Sequence, residues 1–292
     1  MKGLLRNGIL ILALASIPLA EAVITLPFNL DESALPIVKV NINGQEGEFM
    51  VDSGSQSAFH FTQAYMRHMP NLKRLKEKAR TTDLTGKVFL NDKFKFHHVY
   101  VNGMSFENVE GVSLTPWGLT LLPDGKRPEH MVIGLGLFKQ KVLMMDYPQQ
   151  TFTVANQFSE LNIINDEWLS LPLTVSDEGI IIDVTHNNEN YKMMLDTGAT
   201  VSLLWKERIN ETSNTIDCQR VMAEMDNNNC EATQVHIKDT APGKFNVNVL
   251  VLEGDFQHMK ADGLLGTNFL QNHAVLIDFP NNQLMIRSTE PG

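Results

Sequence analysis

Two short segments of the chain place an aspartate directly after an apolar run and before a hydroxyl residue and a glycine. The first is Phe49-Met50-Val51-Asp52-Ser53-Gly54-Ser55, and the second is Met193-Met194-Leu195-Asp196-Thr197-Gly198-Ala199. Two carboxyl groups held close together cannot both ionise, so the pair shares one proton and can supply both an acid and a base. The repeated motif predicts one such site, formed by Asp52 and Asp196.

The repetition continues toward the end of each half. Three residues of the first half recur 132 positions later, so that Gly134, Asp146 and Pro148 correspond to Gly266, Asp278 and Pro280. Each half therefore carries the aspartate motif, a hydrophobic-hydrophobic-glycine element, and a closing strand after an Asp-aromatic-Pro turn. This pattern indicates internal duplication.

The length of 292 residues and the hydrophobic content of 43% fit two domains, each with its own core. The same composition excludes the disordered and fibrous classes. We therefore expect an N-terminal lobe over residues 23–160 and a C-terminal lobe over residues 161–292.

Residues 1–22 have the pattern of a signal peptide. Lys2 and Arg6 precede an apolar run over 8–19, and Ala20-Glu21-Ala22 offers small residues for cleavage. We expect an exported chain, periplasmic or secreted, that begins near Val23. An uncleaved anchor is the alternative, although the run is shorter than the roughly 20 apolar residues that span a bilayer. No later stretch is long enough, so we expect no stable membrane span after signal removal.

The charge is distributed unevenly between the halves. Residues 23–160 carry 14 basic and 14 acidic side chains, whereas residues 161–292 carry 8 and 19. This acidic balance argues against nucleic acid as a partner. The acidic half either forms a cleft wall that favours cationic substrates or, the reading we prefer, keeps the surface solvated.

Cys218 and Cys230 are the two cysteines of the chain. An export signal places them where a disulfide can persist, and a bridge between them would close a small loop. The alternative is two free thiols. No His stands at a spacing that would suggest a metal site or a nucleophilic cysteine.

Alternating apolar residues and turn signals predict mostly strands. Residues 63–79 are the exception, because they resemble a helix with a basic outer face. Residues 157–171 form the expected linker between the lobes. The predicted strands are 37–42 with 48–51, 96–101 with 104–109, 180–184 with 192–195, and the region 245–252.

The two motifs and their Gly elements resemble those of pepsin-like and retropepsin-like aspartic proteases, over roughly residues 36–287. The segment Asp262-Gly263-Leu264-Leu265-Gly266-Thr267-Asn268-Phe269-Leu270 resembles bacterial retropepsin-like domains in particular. The resemblance implies an all-β fold of two similar β-barrel-like lobes with a central cleft and a minor helical insertion. It also implies an endopeptidase in which Asp52 and Asp196 activate water, with no metal and no cofactor.

The resemblance also implies roles for the residues around the aspartates. Gly54 and Gly198 allow a sharp turn and close approach of the other lobe. Ser53 and Thr197 would hydrogen-bond across the lobe interface and fix the spacing of the two carboxyl groups.

Two further sets of supporting residues follow from the same resemblance. Ser55 can hydrogen-bond the carboxylate of its lobe, whereas Ala199 at the matching position cannot. Gly134 and Gly266 would pack behind the aspartates.

A protease of this type needs a flap that closes over the substrate. In the first half the candidate is residues 81–88 around Gly86, and in the second it is the segment between Cys218 and Cys230. Tyr100 falls in a different hairpin, so the flap tyrosine of pepsins has no clear counterpart.

Three hypotheses for the function remain. The first is an exported monomeric endopeptidase that acts on peptides or proteins through an intramolecular Asp52/Asp196 pair. The second is a protein that keeps the two-lobed fold to bind or inhibit peptides without turnover. The third is that each lobe pairs with its twin in another chain.

Overall fold

The computed structural model describes residues 23–116, 129–164, 167–210, 215–222, 230–240 and 245–288. The predicted signal peptide over 1–22 lies outside these ranges, so its cleavage stays a prediction. Within them the chain is nearly all strand, with two short α-helices. The predicted all-β class with two lobes is confirmed.

The described residues of the first half form ten strands and one α-helix. In chain order these are β1 (Val23–Leu30), β2 (Pro36–Ile42), β3 (Gln45–Asp52), β4 (Phe59–Phe61), α1 (Gln63–His68), β5 (Lys73–Thr82), β6 (Val88–Val101), β7 (Met104–Ser113), β8 (Met131–Gly134), β9 (Val142–Asp146) and β10 (Thr151–Ala155).

The second half repeats much of this order. Its elements are β11 (Leu169–Pro172), β12 (Thr174–Val175), β13 (Ile180–His186), β14 (Glu189–Leu195), β15 (Leu203–Trp205), β16 (Ala232–Ile237), β17 (Asn246–Leu252), β18 (Gly263–Leu265), α2 (Thr267–Leu270), β19 (His273–Asp278) and β20 (Gln283–Ser288).

The strands form two sheets. The larger has 13 strands in the order β11-β20-β19-β9-β10-β1-β2-β3-β8-β4-β7-β6-β5, and the smaller has seven in the order β12-β13-β14-β18-β15-β17-β16. The halves join through the antiparallel pair β9 and β19. Met144 faces Leu276 at the centre of this pair, and these residues are themselves 132 positions apart. The two halves are therefore related by an approximate two-fold axis through this register.

Each half delivers its aspartate by the same arrangement. A hairpin, β2–β3 or β13–β14, runs up to the aspartate. The strand of the Gly element then lies parallel to the second strand of that hairpin, as β8 beside β3 and β18 beside β14. The predicted hairpins are confirmed, and the positive φ of Asn43 and Asn102 fits the tight turns expected at Asn-Gly.

The predicted helix over residues 63–79 is wrong beyond its first turns. α1 ends at His68, and β5 begins at Lys73 and pairs with the 14-residue strand β6. β5 lies at the edge of the larger sheet. Its many charged residues are compatible with an edge strand, where they remain solvated and discourage pairing with other chains.

Strand β1 was not expected from the sequence, which predicted a first strand near residue 37. Ile24, Leu26 and Phe28 alternate with exposed residues and are buried. β1 pairs with both β10 and β2 and so links the hairpin of the first lobe to the strands at the interface. The linker predicted over 157–171 also contains structure, because its last residues belong to β11 beside β20.

Candidate active site

Asp52 and Asp196 lie at matching points of the two lobes. Asp52 is the last residue of β3 and faces Gly134 of β8 in the parallel register. Asp196 directly follows β14, and its backbone N–H donates to the Leu265 carbonyl at 2.9 Å. Both side chains are buried, with exposed fractions of 5% and 8%.

The two carboxyl groups lie close together beside the glycines of the two motifs. The N–H of Gly54 donates to Asp52 Oδ1 and that of Gly198 to Asp196 Oδ1, each at 2.8 Å. A Cβ added to Gly198 would lie 3.1 Å from both Asp52 Oδ1 and Asp196 Oδ1. Such a side chain would occupy space between the carboxyl groups, so the close approach requires glycine.

Ser53 and Thr197 connect the lobes reciprocally. The Thr197 hydroxyl donates to the Val51 carbonyl at 2.7 Å and accepts from the Ser53 N–H at 2.9 Å. The Ser53 hydroxyl donates to the Leu195 carbonyl at 2.8 Å and accepts from the Thr197 N–H at 3.0 Å. These four buried hydrogen bonds hold the ends of β3 and β14 side by side, as the sequence predicted.

Burial raises the pKa of both aspartates, because an ionised carboxylate loses its hydration there. The charge of Asp196 raises the pKa of Asp52 further, and a hydrogen bond joins the two carboxyl groups. Hydrogen bonds from the N–H groups of Gly54 and Gly198 lower these pKa values, because they stabilise the ionised carboxylates. The pair therefore keeps a proton to higher pH than an isolated carboxyl group and titrates as one unit.

Ser55 serves the site differently from the prediction. Its hydroxyl lies 2.7 Å from Nε2 of His60, a buried histidine in β4. The Ser55 N–H donates to the Asp52 backbone carbonyl at 3.3 Å and lies close enough to the Asp52 carboxyl group to lower its pKa. The Ser55 hydroxyl therefore binds the imidazole behind the site, and the Ser55 backbone closes the turn that carries Asp52.

Gly134 and Gly266 pack tightly behind the aspartates, as predicted. A Cβ on Gly134 would lie 2.1 Å from the Ser57 carbonyl oxygen, and one on Gly266 would lie 2.6 Å from that of Val201. Neither contact is tolerable, so both positions require glycine. The tight packing fixes each aspartate loop from behind.

The predicted flap over residues 81–88 is the turn of the β5–β6 hairpin. Asp83 Oδ1 accepts from the N–H groups of Thr85 and Lys87, at 3.0 and 3.1 Å, and so stabilises the turn. Leu84 packs against an apolar cluster of the C-terminal lobe. A Cβ on Gly86 would lie 3.5 Å from the ring of His258. The flap tip therefore spans the cleft and contacts the opposite lobe.

The apolar cluster beneath Leu84 is built around Trp205. Its ring stacks on Phe256 with centroids 4.0 Å apart, and its Nε1–H donates to the Ala261 carbonyl at 3.0 Å. Leu264, from the Gly element, belongs to the same cluster. The flap tip and the second aspartate loop thus share one packed region.

The disulfide between Cys218 and Cys230 is confirmed. Cys218 is buried within the apolar cluster of the C-terminal lobe. Residues 223–229, the centre of the second predicted flap, lie outside the described residues. The bridge joins Cys218, which precedes that segment, to Cys230, which directly follows it.

In the part of the chain that the structure describes, no group of three or more His, Cys, Asp or Glu side chains could hold a metal ion. Nor is any helix among those residues long and apolar enough to cross a membrane.

The two lobes, their paired aspartates and the reciprocal hydroxyl contacts define the class of bilobal aspartic protease folds. Residues 38–137 match the aspartyl protease family, and residues 182–272 match the gag-polyprotein putative aspartyl protease family. Each half of the chain therefore carries one retropepsin-like aspartyl protease domain. No curated protein sequence matches the chain.

Solved structures with the same fold include two plant globulins. Basic 7S globulin from soybean is 11% identical, with a TM-score of 0.60 and coverage of 92% of this chain and 95% of the globulin. Conglutin gamma, a basic 7S globulin from lupine seeds, is 10% identical, with a TM-score of 0.59 and coverage of 91% and 95%. These similarities show the fold alone.

Sequence reasoning did not identify His60 or His258, nor the contact that Leu84 makes from within the predicted flap. His60 lies between two phenylalanines in a strand, and a single buried histidine has no motif. Gly86 and His258 meet only through the tertiary fold, because 172 positions separate them in the chain.

Proposed function

We propose that the chain is an exported aspartic endopeptidase that hydrolyses peptide bonds between Asp52 and Asp196. The observation that carries the proposal is the close approach of these two buried carboxyl groups beside Gly54 and Gly198. A fold kept only for binding gains nothing from two carboxyl groups that repel each other when both ionise.

The reaction follows from the protonation of the pair. The ionised carboxyl group takes a proton from a water molecule as that water attacks the substrate carbonyl carbon. The protonated partner donates its proton to the carbonyl oxygen. When the carbon–nitrogen bond breaks, the roles reverse: the carboxyl group that took the proton from water gives it to the leaving amine, and the other takes a proton from a hydroxyl of the tetrahedral intermediate, which leaves the pair singly protonated.

The other residues maintain this geometry. Ser53 and Thr197 keep the two loops at a fixed separation, and fixed positioning of the reacting groups lowers the barrier to such a reaction. The flap around Gly86 would exclude water once a substrate is bound. We infer a peptide or protein substrate, a monomer with an intramolecular pair, and no cofactor. The disulfide supports an oxidising compartment.

The second candidate is a peptide-binding or inhibitory protein without turnover. Its support is the flap tip, which rests on the C-terminal lobe and covers the cleft. The two similar structures are also named globulins rather than proteases.

Cleavage of an unbiased peptide library from pH 3 to 8 separates the candidates. We expect cleavage by the purified protein and none by Asp52→Asn or Asp196→Asn. Asp278→Asn, in the Asp-aromatic-Pro turn, is the matched control and should keep activity, because Asp278 accepts from the N–H and side chain of Asn281 within its own turn. No cleavage by the parent at any pH would reject the endopeptidase and favour the binding protein.

A further inference from the structure

We propose that His60 is a positioning residue for the site: its imidazole holds Ser55, and Ser55 in turn closes the turn that carries Asp52. This inference deepens the proposed function and rests on it for its catalytic consequence. His60 itself would touch neither substrate nor water.

His60 is directed toward Ser55 by the alternation of side chains along β4. The neighbouring rings of Phe59 and Phe61 lie 4.8 Å apart in the core of the N-terminal lobe. His60 points to the other face of the strand, where its register partner is Val132. Val132 belongs to a small apolar cluster with Leu35 and Met50. The imidazole is therefore buried, with 4% of its residue surface exposed.

Three groups of Ser55 form hydrogen bonds that fix its position. Its hydroxyl oxygen lies 2.7 Å from His60 Nε2. Its carbonyl accepts from the Leu135 N–H at 2.8 Å, and its N–H donates to the Asp52 backbone carbonyl at 3.3 Å. The same N–H lies near the Asp52 carboxyl group and lowers its pKa. A displacement of the Ser55 side chain would move the N–H that faces Asp52.

The C-terminal lobe repeats the backbone contact without the side-chain pair. The Ala199 carbonyl accepts from the Thr267 N–H at 2.8 Å, which matches the bond from Leu135 to Ser55. Ala199 has no hydroxyl, and β15 consists of three apolar residues. Asp196 is hydrogen-bonded by the N–H groups of Gly198 and Gly54 instead. The polar support through Ser55 and His60 therefore acts on one aspartate.

The buried imidazole acts as a neutral group. Burial lowers the pKa of His60 to about 3, so the ring carries no charge over the range in which this pair of aspartates would work. A neutral imidazole offers one donor and one acceptor nitrogen. Its contribution to the site is thus a directed hydrogen bond to a buried hydroxyl rather than an electrostatic field.

The test follows the titration of Asp52 by NMR in protein labelled with ¹³C at the aspartate carboxyl carbons. Asp52→Asn and Asp196→Asn identify the two signals. The compared proteins are the parent, Ser55→Ala, His60→Leu, His60→Gln and the double variant Ser55→Ala/His60→Leu. Ser55→Ala introduces the residue that the other lobe carries, so it keeps the test valid even where His60→Leu folds poorly.

We expect the midpoint of Asp52 to rise by about 0.5 to 1 pH unit in Ser55→Ala and His60→Leu, because a displaced N–H no longer favours the ionised form. The double variant should show no larger change than either single variant, since both remove the same support. His60→Gln should recover most of the parent value, because its amide nitrogen can reach the hydroxyl.

The matched control is His186→Leu. His186 is also buried, with Nδ1 at 3.1 Å from the Gln234 carbonyl, but it lies at the far end of the β13–β14 hairpin. This variant should lose stability and leave the Asp52 midpoint unchanged. With a cleavable substrate, kcat should fall roughly 10-fold in Ser55→Ala and His60→Leu at unchanged KM, which is within the range that small misplacements cost.

An Asp52 midpoint that stays at the parent value in Ser55→Ala and His60→Leu would overturn the proposal. A change of the Asp52 midpoint in the double variant that equals the sum of the changes in the two single variants would overturn the proposal as well. A parent protein that cleaves no peptide would reject the proposed function instead, while the titration would still decide whether His60 acts on Asp52.

Discussion

Thr197 holds the strand of Ser53, and Ser53 holds the strand of Thr197, each through one hydroxyl that both donates and accepts. The hydroxyl of each residue bonds the carbonyl directly before the aspartate of the opposite lobe. The spacing of Asp52 and Asp196 is therefore set by a contact that neither lobe can make alone.

Thr197→Val tests this contact with almost no change in side-chain volume. We expect a loss of about 2 to 4 kcal/mol in the free energy of unfolding, because the buried Ser53 N–H and Val51 carbonyl both lose their partner. The value of kcat/KM should fall by more than the loss of folded protein explains. Urea denaturation and kcat/KM would measure the two effects.

Thr153→Val is the control for that substitution. The Thr153 hydroxyl hydrogen-bonds that of Thr25 within the N-terminal lobe, between β10 and β1, at 3.4 Å. Its loss should cost less than about 1 kcal/mol, the usual net value of one hydrogen bond. Equal costs for the two variants would show that the contact between the lobes has no special role.

Asp52→Asn should raise stability at neutral pH relative to the parent. In the folded protein the pKa of Asp52 lies above its unfolded value. The folded state then binds more protons than the unfolded one between these two values, so parent stability falls as pH rises through this window. The variant lacks this penalty, which is about 1.4 kcal/mol for each pH unit that separates the folded pKa from the unfolded one.

Thermal unfolding from pH 3 to 8 would measure this effect. The melting temperatures of variant and parent should converge near pH 3, below the unfolded value of about 3.9, and separate at higher pH. Asp255→Asn, at an exposed aspartate, should follow the parent throughout. A variant that is less stable than the parent at pH 7 would contradict the raised pKa.

Leu84→Ala should loosen the flap. Leu84 is the side chain that the flap tip places against the cluster around Trp205, and its truncation removes apolar contact without touching the turn that Asp83 stabilises. Hydrogen exchange at the amides of Gly86 and Lys87 should become faster, on the order of 10-fold for a loss near 1.4 kcal/mol.

Leu90→Ala is the matched control, since Leu90 is on the same hairpin and 72% exposed. Its exchange rates at the flap tip should equal those of the parent. Equal rates in Leu84→Ala would mean that the contact with the C-terminal lobe does not hold the flap.

Reduction of the disulfide should destabilise the C-terminal lobe. Cys218 and Cys230 are separated by 12 positions, and closing a loop of this size restricts the unfolded chain by roughly 3 kcal/mol. Cys218→Ser/Cys230→Ser should show a lower urea midpoint that reductant no longer changes, whereas the parent should lose stability only when reductant is added. A parent insensitive to reductant would contradict the prediction.

Much of the site was predictable because its residues are tied to a repeated motif. Asp52, Asp196 and their glycines stand out through duplication, and the hairpins that deliver them carry turn signals and alternating apolar residues. His60 was not predictable, because its effect depends on which face of β4 it occupies. That face is set by pairing with β8, a strand about 70 positions later in the chain.

The misassigned segment has a different cause. Lys73–Thr82 is rich in residues that favour helices in isolation. The long partner strand β6 nevertheless draws it into the sheet, and half-buried residues recur on one of its faces. β1 was not predicted, because it directly follows the predicted signal peptide. Its pairing partners β10 and β2 also lie in different parts of the first half.

The centred register of β9 and β19, with Met144 opposite Leu276, has a consequence for how the two aspartates can differ. In a symmetric pair of identical chains every residue occurs on both sides, so a change beside one aspartate is also made beside the other. Here the two sides belong to one polypeptide and mutate independently. One lobe carries Ser55 and His60 and the other Ala199, so covalent joining allows the two carboxyl groups to have different surroundings.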